Sequence, residues 1–275
     1  MAYQNMGEGA LNYTPCRYGN SKLLFRGPQK DLDAPYVAFL GGTETYGKFV
    51  DMPFPALVET SLGMTGVNLG CVNGGVDVFL SDETVLDICR KAEVTVLQIP
   101  GAQNISNRFY TVHARRNDRF LRASDELQRM YRNIDFTDFN FTRHLLHTLG
   151  AASSKKFAMV REELRRAWSA RMETMVEKLH GDVVLLWLSD HSPDDGAACD
   201  AIAGDPLFVN CEMVEGLRPL VKDVVEVVAT KDEIATGYEL MVHSDLDAPA
   251  AREMLGPVVH AGAAGMLREA LMPYV

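Results

Sequence analysis

The residues best placed to do chemistry follow a short apolar run, 36–41, which breaks on Gly41-Gly42, meets Thr43 at once, and closes its loop at Gly47. A hydroxyl just past the carboxyl end of a buried strand lies where open α/β sheets bind their ligands. Thr43 therefore has three readings: a nucleophile, a phosphate contact, or a plain turn or cap residue. Two further stretches carry ionisable groups. Ser189, Asp190, His191, Asp194 and Asp195 follow another apolar run and would overhang the same mouth. Their spacing fits no established metal loop, so a solvated turn is expected, with His191 as a substrate contact and no metal. Arg115, Arg116 and Arg119 fall close together, flanked by Phe109, Tyr110 and Phe120. They could hold a carboxylate, sulfate or phosphate by paired hydrogen bonds. The alternative is a helix start whose charges pair among themselves, Asp118 included.

The phosphate-loop pattern G-x-x-x-x-G-K-[ST] is met at Gly42, Gly47 and Lys48, but Phe49 stands where a magnesium-binding hydroxyl belongs. A phosphate loop also opens directly into a helix whose first amides face the anion. Here Pro53 and Pro55 intervene. A group-transfer enzyme for a phosphate- or sulfate-bearing nucleotide, built on these residues and the arginines, stands third among the functional readings.

The elements that must position these groups alternate. Strands are expected at about 36–41, 66–69, 94–99, 182–188 and 224–229. Helices are expected from near 55 to 62, over 81–91 with Ser81 as N-cap, and over 154–180, 211–221, 247–255 and 261–272. Residues 94–99 form the near-continuous apolar run of a parallel strand buried on both faces. The alternation predicts an α/β fold: a three-layer, doubly wound, flavodoxin-like sheet of five mostly parallel strands. One domain is expected over 1–275. Its irregular lead-in is 1–34, and 102–181 is a helical cap or insertion in which no strand is expected. Within it Phe157, Val160, Leu164, Trp168, Met172, Met175 and Leu179 recur at three- and four-residue steps. That stripe reads as core or cap contact, with a homodimer interface as the alternative.

Composition bounds the function. The chain has 275 residues, 47% hydrophobic, with 27 basic against 37 acidic side chains, a balance of -10. Such a charge disfavours nucleic acid and anionic membrane surfaces as partners and leaves a small-molecule substrate as the expectation. The first eight residues have neither a basic start nor an apolar core, so no signal peptide is expected. No apolar run approaches the roughly 20 residues of a membrane helix. The five scattered cysteines, without Cys-x-x-Cys, read as reduced thiols of a cytoplasmic protein.

Several of these residues together resemble the SGNH (GDSL-type) hydrolases. Gly41 to Gly47 resembles the first block of that superfamily, Gly-Asp-Ser-x-Thr-x-Gly after strand one. Pro53-Phe54-Pro55, Leu62-Gly63 and Asn68-Leu69-Gly70 also look like it, and Gly101-Ala102-Gln103-Asn104 aligns with Gly-x-Asn-Asp. Pro257-Val258-Val259-His260, before a terminal helix, aligns with Asp-x-x-His. The likeness covers about 36–104 and the last twenty or so residues. It implies acyl transfer, with Thr43 as nucleophile and His260 as base. It also implies oxyanion donors: the N–H of Gly70, or less readily of Gly74, and the Gln103 side chain, or Asn104 if the loop is shifted by one. The departures are that Ser is Thr43, Asp is Gly42, Asn is Gln103 and the orienting Asp is Pro257. No Asp-x-x-His occurs anywhere, which leaves Asp245 or Asp247 to orient His260. The resemblance thus implies a hydrolase or acyl-transfer enzyme acting on an ester, such as an O-acyl carbohydrate with an anionic part held by the arginines, and needing no cofactor. The alternative is a binding protein that keeps the fold and has lost the triad.

Overall fold

The computed structural model describes residues 11–275, so the opening residues of the expected lead-in lie outside the described part. The strand β1 (Tyr36–Gly41) runs into a one-turn helix α1 (Thr43–Tyr46), then α2 (Phe54–Leu62) and β2 (Thr65–Gly70). Helices α3 (Val76–Leu80) and α4 (Glu83–Lys91) lead to β3 (Val94–Gln98). An antiparallel hairpin comes next, β4 (Tyr110–His113) with β5 (Arg116–Ala123). Then come α5 (Asp125–Met130), α6 (Thr142–Ala152) and α7 (Ser154–Leu179). The strand β6 (Val183–Ser189), α8 (Gly196–Asp200), α9 (Cys211–Leu217) and β7 (Asp223–Val228) succeed them in turn. Helices α10 (Lys231–Glu239), α11 (Ala248–Ala251) and α12 (Pro257–Leu271) close the chain.

The five long-range strands form one parallel sheet in the order β2-β1-β3-β6-β7. The chain winds one way from β1 to β2 and the other way from β3 onward, so the switch point lies between β1 and β3. Successive side chains of a strand point to opposite faces. Val37, Phe39, Val96 and Leu186 accordingly pack with α2 and α12, whereas Ala38, Leu40, Leu97 and Trp187 pack with α4, α7 and α9. The result is a three-layer α/β fold. No helix among the described residues is long and apolar enough to cross a membrane.

The stripe on α7 is spent inside the chain: Phe157, Val160, Leu164, Trp168, Met172, Met175 and Leu179 are all buried, and none is left for a second copy. At about 1.5–3 kcal/mol for each buried apolar side chain, tertiary packing rather than helix propensity holds α7 in place. This helix is part of a layer of the fold, not a cap over it.

The hairpin corrects the expectation of a strandless 102–181. Its period-two pattern is broken by register shifts at Thr111/Val112 and Val112/His113. Buried Asn117 and Phe120 therefore alternate with arginines in a way that reads as a loop. The cap of α4 is Asp82, whose side chain accepts from Val85 N–H, not Ser81. The helix α10 went unexpected although Thr230 and Glu233 form a complete capping box. The terminal helix starts at Pro257, with Gly256 as N-cap, four residues earlier than expected. His260 therefore lies inside a helix rather than in a loop before one.

Candidate functional site

A cleft of about 580 Å³ opens at the carboxyl edge of the sheet, over the switch point. Each wall comes from a segment that succeeds a strand. Thr43 and Glu44 follow β1, Asn73 follows β2, Gln98 ends β3, Gln103 and Asn104 come next, and Ser189 and Asp190 stand at the end of β6. Arg252 to Leu255, ahead of α12, and Phe141 to Arg143, opening α6, close the sides.

The first loop is held from both sides. Behind it, the Arg26 guanidinium donates to the carbonyls of Gly47 (2.6 Å), Val50 (2.8 Å) and Asp51 (2.6 Å) and stacks on Tyr13. Gly47 takes φ +73°, and a Cβ there would strike Pro53, so glycine is required. Burial lowers the Arg26 pKa from its ordinary value and pushes the Tyr46 phenol up to about 12. Toward the cleft, Thr43 Oγ1 accepts from Asn73 N–H at 2.9 Å and donates to Asn73 Oδ1 at 3.3 Å. Asn73 itself, in the left-handed region at φ +56°, donates through Nδ2 to Asp118 at 3.3 Å. Its carbonyl accepts from Asn104 Nδ2 at 3.4 Å. The Thr43 hydroxyl thus belongs to a ring of amide groups and has no imidazole partner.

His260 is where the resemblance and the structure part. Its side chain has no exposed surface. Nδ1 accepts from Phe54 N–H at 3.1 Å, which puts the ring proton on Nε2, facing Glu44 Oε2 at 3.3 Å. The ring also stacks on Phe54, with centroids 5.7 Å apart. Both nitrogens are therefore committed away from Thr43, because the early start of α12 buries His260 on the α2 side of the sheet. Glu44, not His260, reaches the cleft wall, with its other oxygen held by Leu255 N–H at 3.0 Å.

Gly70 does not present its N–H to the cleft either. Asn68 Oδ1 accepts it at 2.9 Å, and Tyr46 packs so closely on Gly70 that a Cβ would collide with its backbone. Gly74 does line the cleft, but its N–H is bonded to Cys71 O at 2.9 Å. Gln103 and Asn104 are on the wall, each with its amide nitrogen engaged: Gln103 to Asp205 at 3.0 Å, Asn104 to the Asn73 carbonyl.

His191 is buried beside the cleft rather than on it. Its Nδ1 meets both Ser189 Oγ and Asp190 Oδ1 at 2.8 Å, and Ser189 Oγ donates onward to the Asp205 carbonyl at 2.7 Å. Serine and aspartate share one ring nitrogen, so this trio cannot pass a proton through the ring as a triad does. Among the described residues no three His, Cys, Asp or Glu side chains gather as a metal site. The arginine cluster is dispersed by the hairpin. Arg115 lines a separate shallow hollow, Arg116 is exposed, and Arg119 lies 4.2 Å over the Phe141 ring at the cleft rim.

The wall charges run against an anionic ligand. Among the described residues lining it, Glu44, Asp118, Asp190, Asp205 and Glu253 face Arg143 and Arg252, and Arg143 is already paired with Asp205 at 3.2 Å. Three residues that sequence reasoning passed over do the positioning. Gln98 Oε1 accepts from Gly42 N–H, Thr45 N–H and the Thr45 hydroxyl. Asn117, fully buried in the hairpin, accepts from Gly75 and Val78 N–H and so caps α3 from outside. Glu44 anchors α12 to the cleft. Gln98 stands out in the sequence between apolar Leu97 and Ile99, whereas Asn117, between Arg116 and Asp118, and Glu44, between Thr43 and Thr45, carry no such signal.

A lipase from a goat rumen metagenome, Lip_vut3, aligns among solved structures at 12% identity, over 86% of this chain and 97% of that one, with a TM-score of 0.40. No curated protein matches the sequence. The family model described as Domain of unknown function (DUF6473) matches residues 1–275, and the chain belongs to that family.

Proposed function

We propose that the cleft binds a small, uncharged, hydroxyl-bearing ligand of carbohydrate-like chemistry, and that the chain is a binding protein in which a nucleophile–base couple is absent. The observation that carries this reading is the commitment of both His260 ring nitrogens to Phe54 and Glu44. The Thr43 hydroxyl bonds Asn73 and no imidazole among the described residues, and a hydroxyl without a base is a poor nucleophile. The wall supports the ligand class. Side-chain amides and hydroxyls (Asn73, Gln98, Asn104, Thr142) stand among carboxylates that accept from ligand hydroxyls and repel anions.

Titration with methyl β-D-glucoside and with glucuronate, followed by backbone amide NMR of Gly42 and Asn73, tests it. The glucoside is expected to move both signals and glucuronate to leave them in place. The same preparation is expected to hydrolyse p-nitrophenyl acetate no faster than its Thr43→Ala variant; turnover that depends on Thr43 would overturn the reading.

A second reading has one observation in its favour: Glu44 lines the cleft beside Thr43 and is backed by His260. An acyl hydrolase in which the Glu44 carboxylate takes the attacking group's proton would be lost on Glu44→Gln while the protein still folds.

A further inference from the structure

The last residue of β3 is a glutamine, only 8% exposed, at the switch point of the sheet. Its amide orientation is fixed by chemistry. Oε1 takes hydrogen bonds from Gly42 N–H (3.2 Å), Thr45 N–H (3.1 Å) and Thr45 Oγ1 (2.6 Å). Two of these partners are backbone donors and can meet only an oxygen, so the Nε2 group must point elsewhere. The surroundings are built to this one arrangement. A Cβ on Gly41 would lie 2.7 Å from both Cβ and Oε1 of Gln98 and would collide with Thr45 Oγ1. Thr45 is in turn tied to β2, its carbonyl accepting from Asn68 Nδ2 at 2.7 Å.

Gln98 lines the cleft, and its Nε2 group donates to no protein atom among the described residues. Gln103 differs: its Nε2 is engaged by Asp205, and its unpartnered Oε1 is closed off from the cleft. The Gln98 Nε2 is not among the buried atoms that lack a partner, so this N–H₂ group is open to the cleft and free to donate to whatever occupies it.

We propose that Gln98 is a specificity-determining donor, whose fixed side-chain amide receives an uncharged acceptor oxygen of the ligand, a carbonyl or a hydroxyl. A carboxylate would accept as well from the amide, but the acidic wall disfavours it. This inference rests on the reading of the cleft as a binding site for a neutral polar ligand, and it adds the atom that recognises it. The donor differs from those the family resemblance implied, the Gly70 N–H and the Gln103 or Asn104 side chain, because here it is a strand side chain held by the loop that carries Thr43.

The test follows the Gln98 side-chain N–H₂ signals of ¹⁵N-labelled protein during titration with acetamide, acetate and methyl β-D-glucoside. Gln98→Glu is the matching variant: one carboxylate oxygen keeps the three accepted bonds, while the other replaces the donor with an acceptor. Acetamide and the glucoside are expected to shift the Gln98 signals, acetate to shift them less, and Gln98→Glu to bind the glucoside at least about tenfold more weakly. Glucoside binding that moves Gly42 and Asn73 but not Gln98, with unchanged affinity in a folded Gln98→Glu, overturns this proposal and leaves the binding reading standing. Acetamide shifts at Gln98 with no response to the glucoside at Gly42 or Asn73 would do the reverse. Silence of the wild-type Gln98 signals toward every probe refutes the proposal even if the variant fails to fold.

Discussion

Replacing His260 by alanine separates a structural histidine from a catalytic one. A catalytic base can be removed with large effects on rate and small effects on stability. A histidine that fills the core between α2, α12 and the cleft cannot. Its loss strands the buried Phe54 N–H, about 1–3 kcal/mol by itself. It removes the donor facing Glu44 Oε2, worth a further 1.5–3 kcal/mol or so for a charged acceptor. It also leaves a void against the Phe54 ring. The void is polar on the Glu44 side, so water will enter and offset part of the loss. We expect a net destabilisation of about 3–5 kcal/mol, which for a chain of this size lowers Tm by about 10 °C. Thr43→Val is the comparison. It deletes bonds to an exposed asparagine and should cost under about 1 kcal/mol. Urea denaturation of both variants, with thermal melts, gives the numbers. A His260→Ala protein as stable as wild type, but impaired in a Thr43-dependent ester hydrolysis, would refute the assignment.

Three further outcomes are expected from the same geometry. Asn117→Ala should lose about 2–4 kcal/mol in urea denaturation and shift the Asn73 amide signal, because Gly75 N–H is left unsatisfied and the loop between β2 and α3 loosens; a neutral substitution would count against its capping role. Burial pushes the Tyr18 and Tyr36 phenols from 10.0 up to about 12, so their contribution is complete below pH 10 and is lost as pH rises through about 12. Urea midpoints should fall across that window, and midpoints that stay level from pH 9 to pH 12 would contradict it. Burial likewise raises Cys89 to about 12 and Cys71 to about 11, so at pH 8 neither should react with a disulfide reagent until the protein is unfolded, each being at least about 100-fold slower than an ordinary thiol.

The layers of the fold were legible because they depend on burial, which leaves a period in the sequence. Strands over 36–41 and 94–98 and the helix Ser154–Leu179 were each announced by apolar residues at the right spacing. What failed did so where the period is interrupted or very short. Two register shifts hid the hairpin. α3 has only five residues and borrows its cap from Asn117, far along the chain, so no local signal could mark its start. The capping box of Thr230 and Glu233 was readable and was missed.

The site was legible as a place and not as a mechanism, and His260 shows why. Chain order and residue type put a histidine ahead of the terminal helix, and the cleft did form over β1 and β3. What decides the role of an imidazole is the pair of atoms its two nitrogens meet, and that turns on which way the ring points. Pro257 is the residue that redirects it. Proline at N1, with its φ already helical, favours the start of α12 there. His260 is drawn into the first turn and turned toward Phe54, while Glu44 lines the cleft wall. Proline at the helix start thus goes together with the burial of His260 and its commitment to Phe54 and Glu44. The cleft wall carries amides and hydroxyls, and the Thr43 hydroxyl meets Asn73 rather than an imidazole.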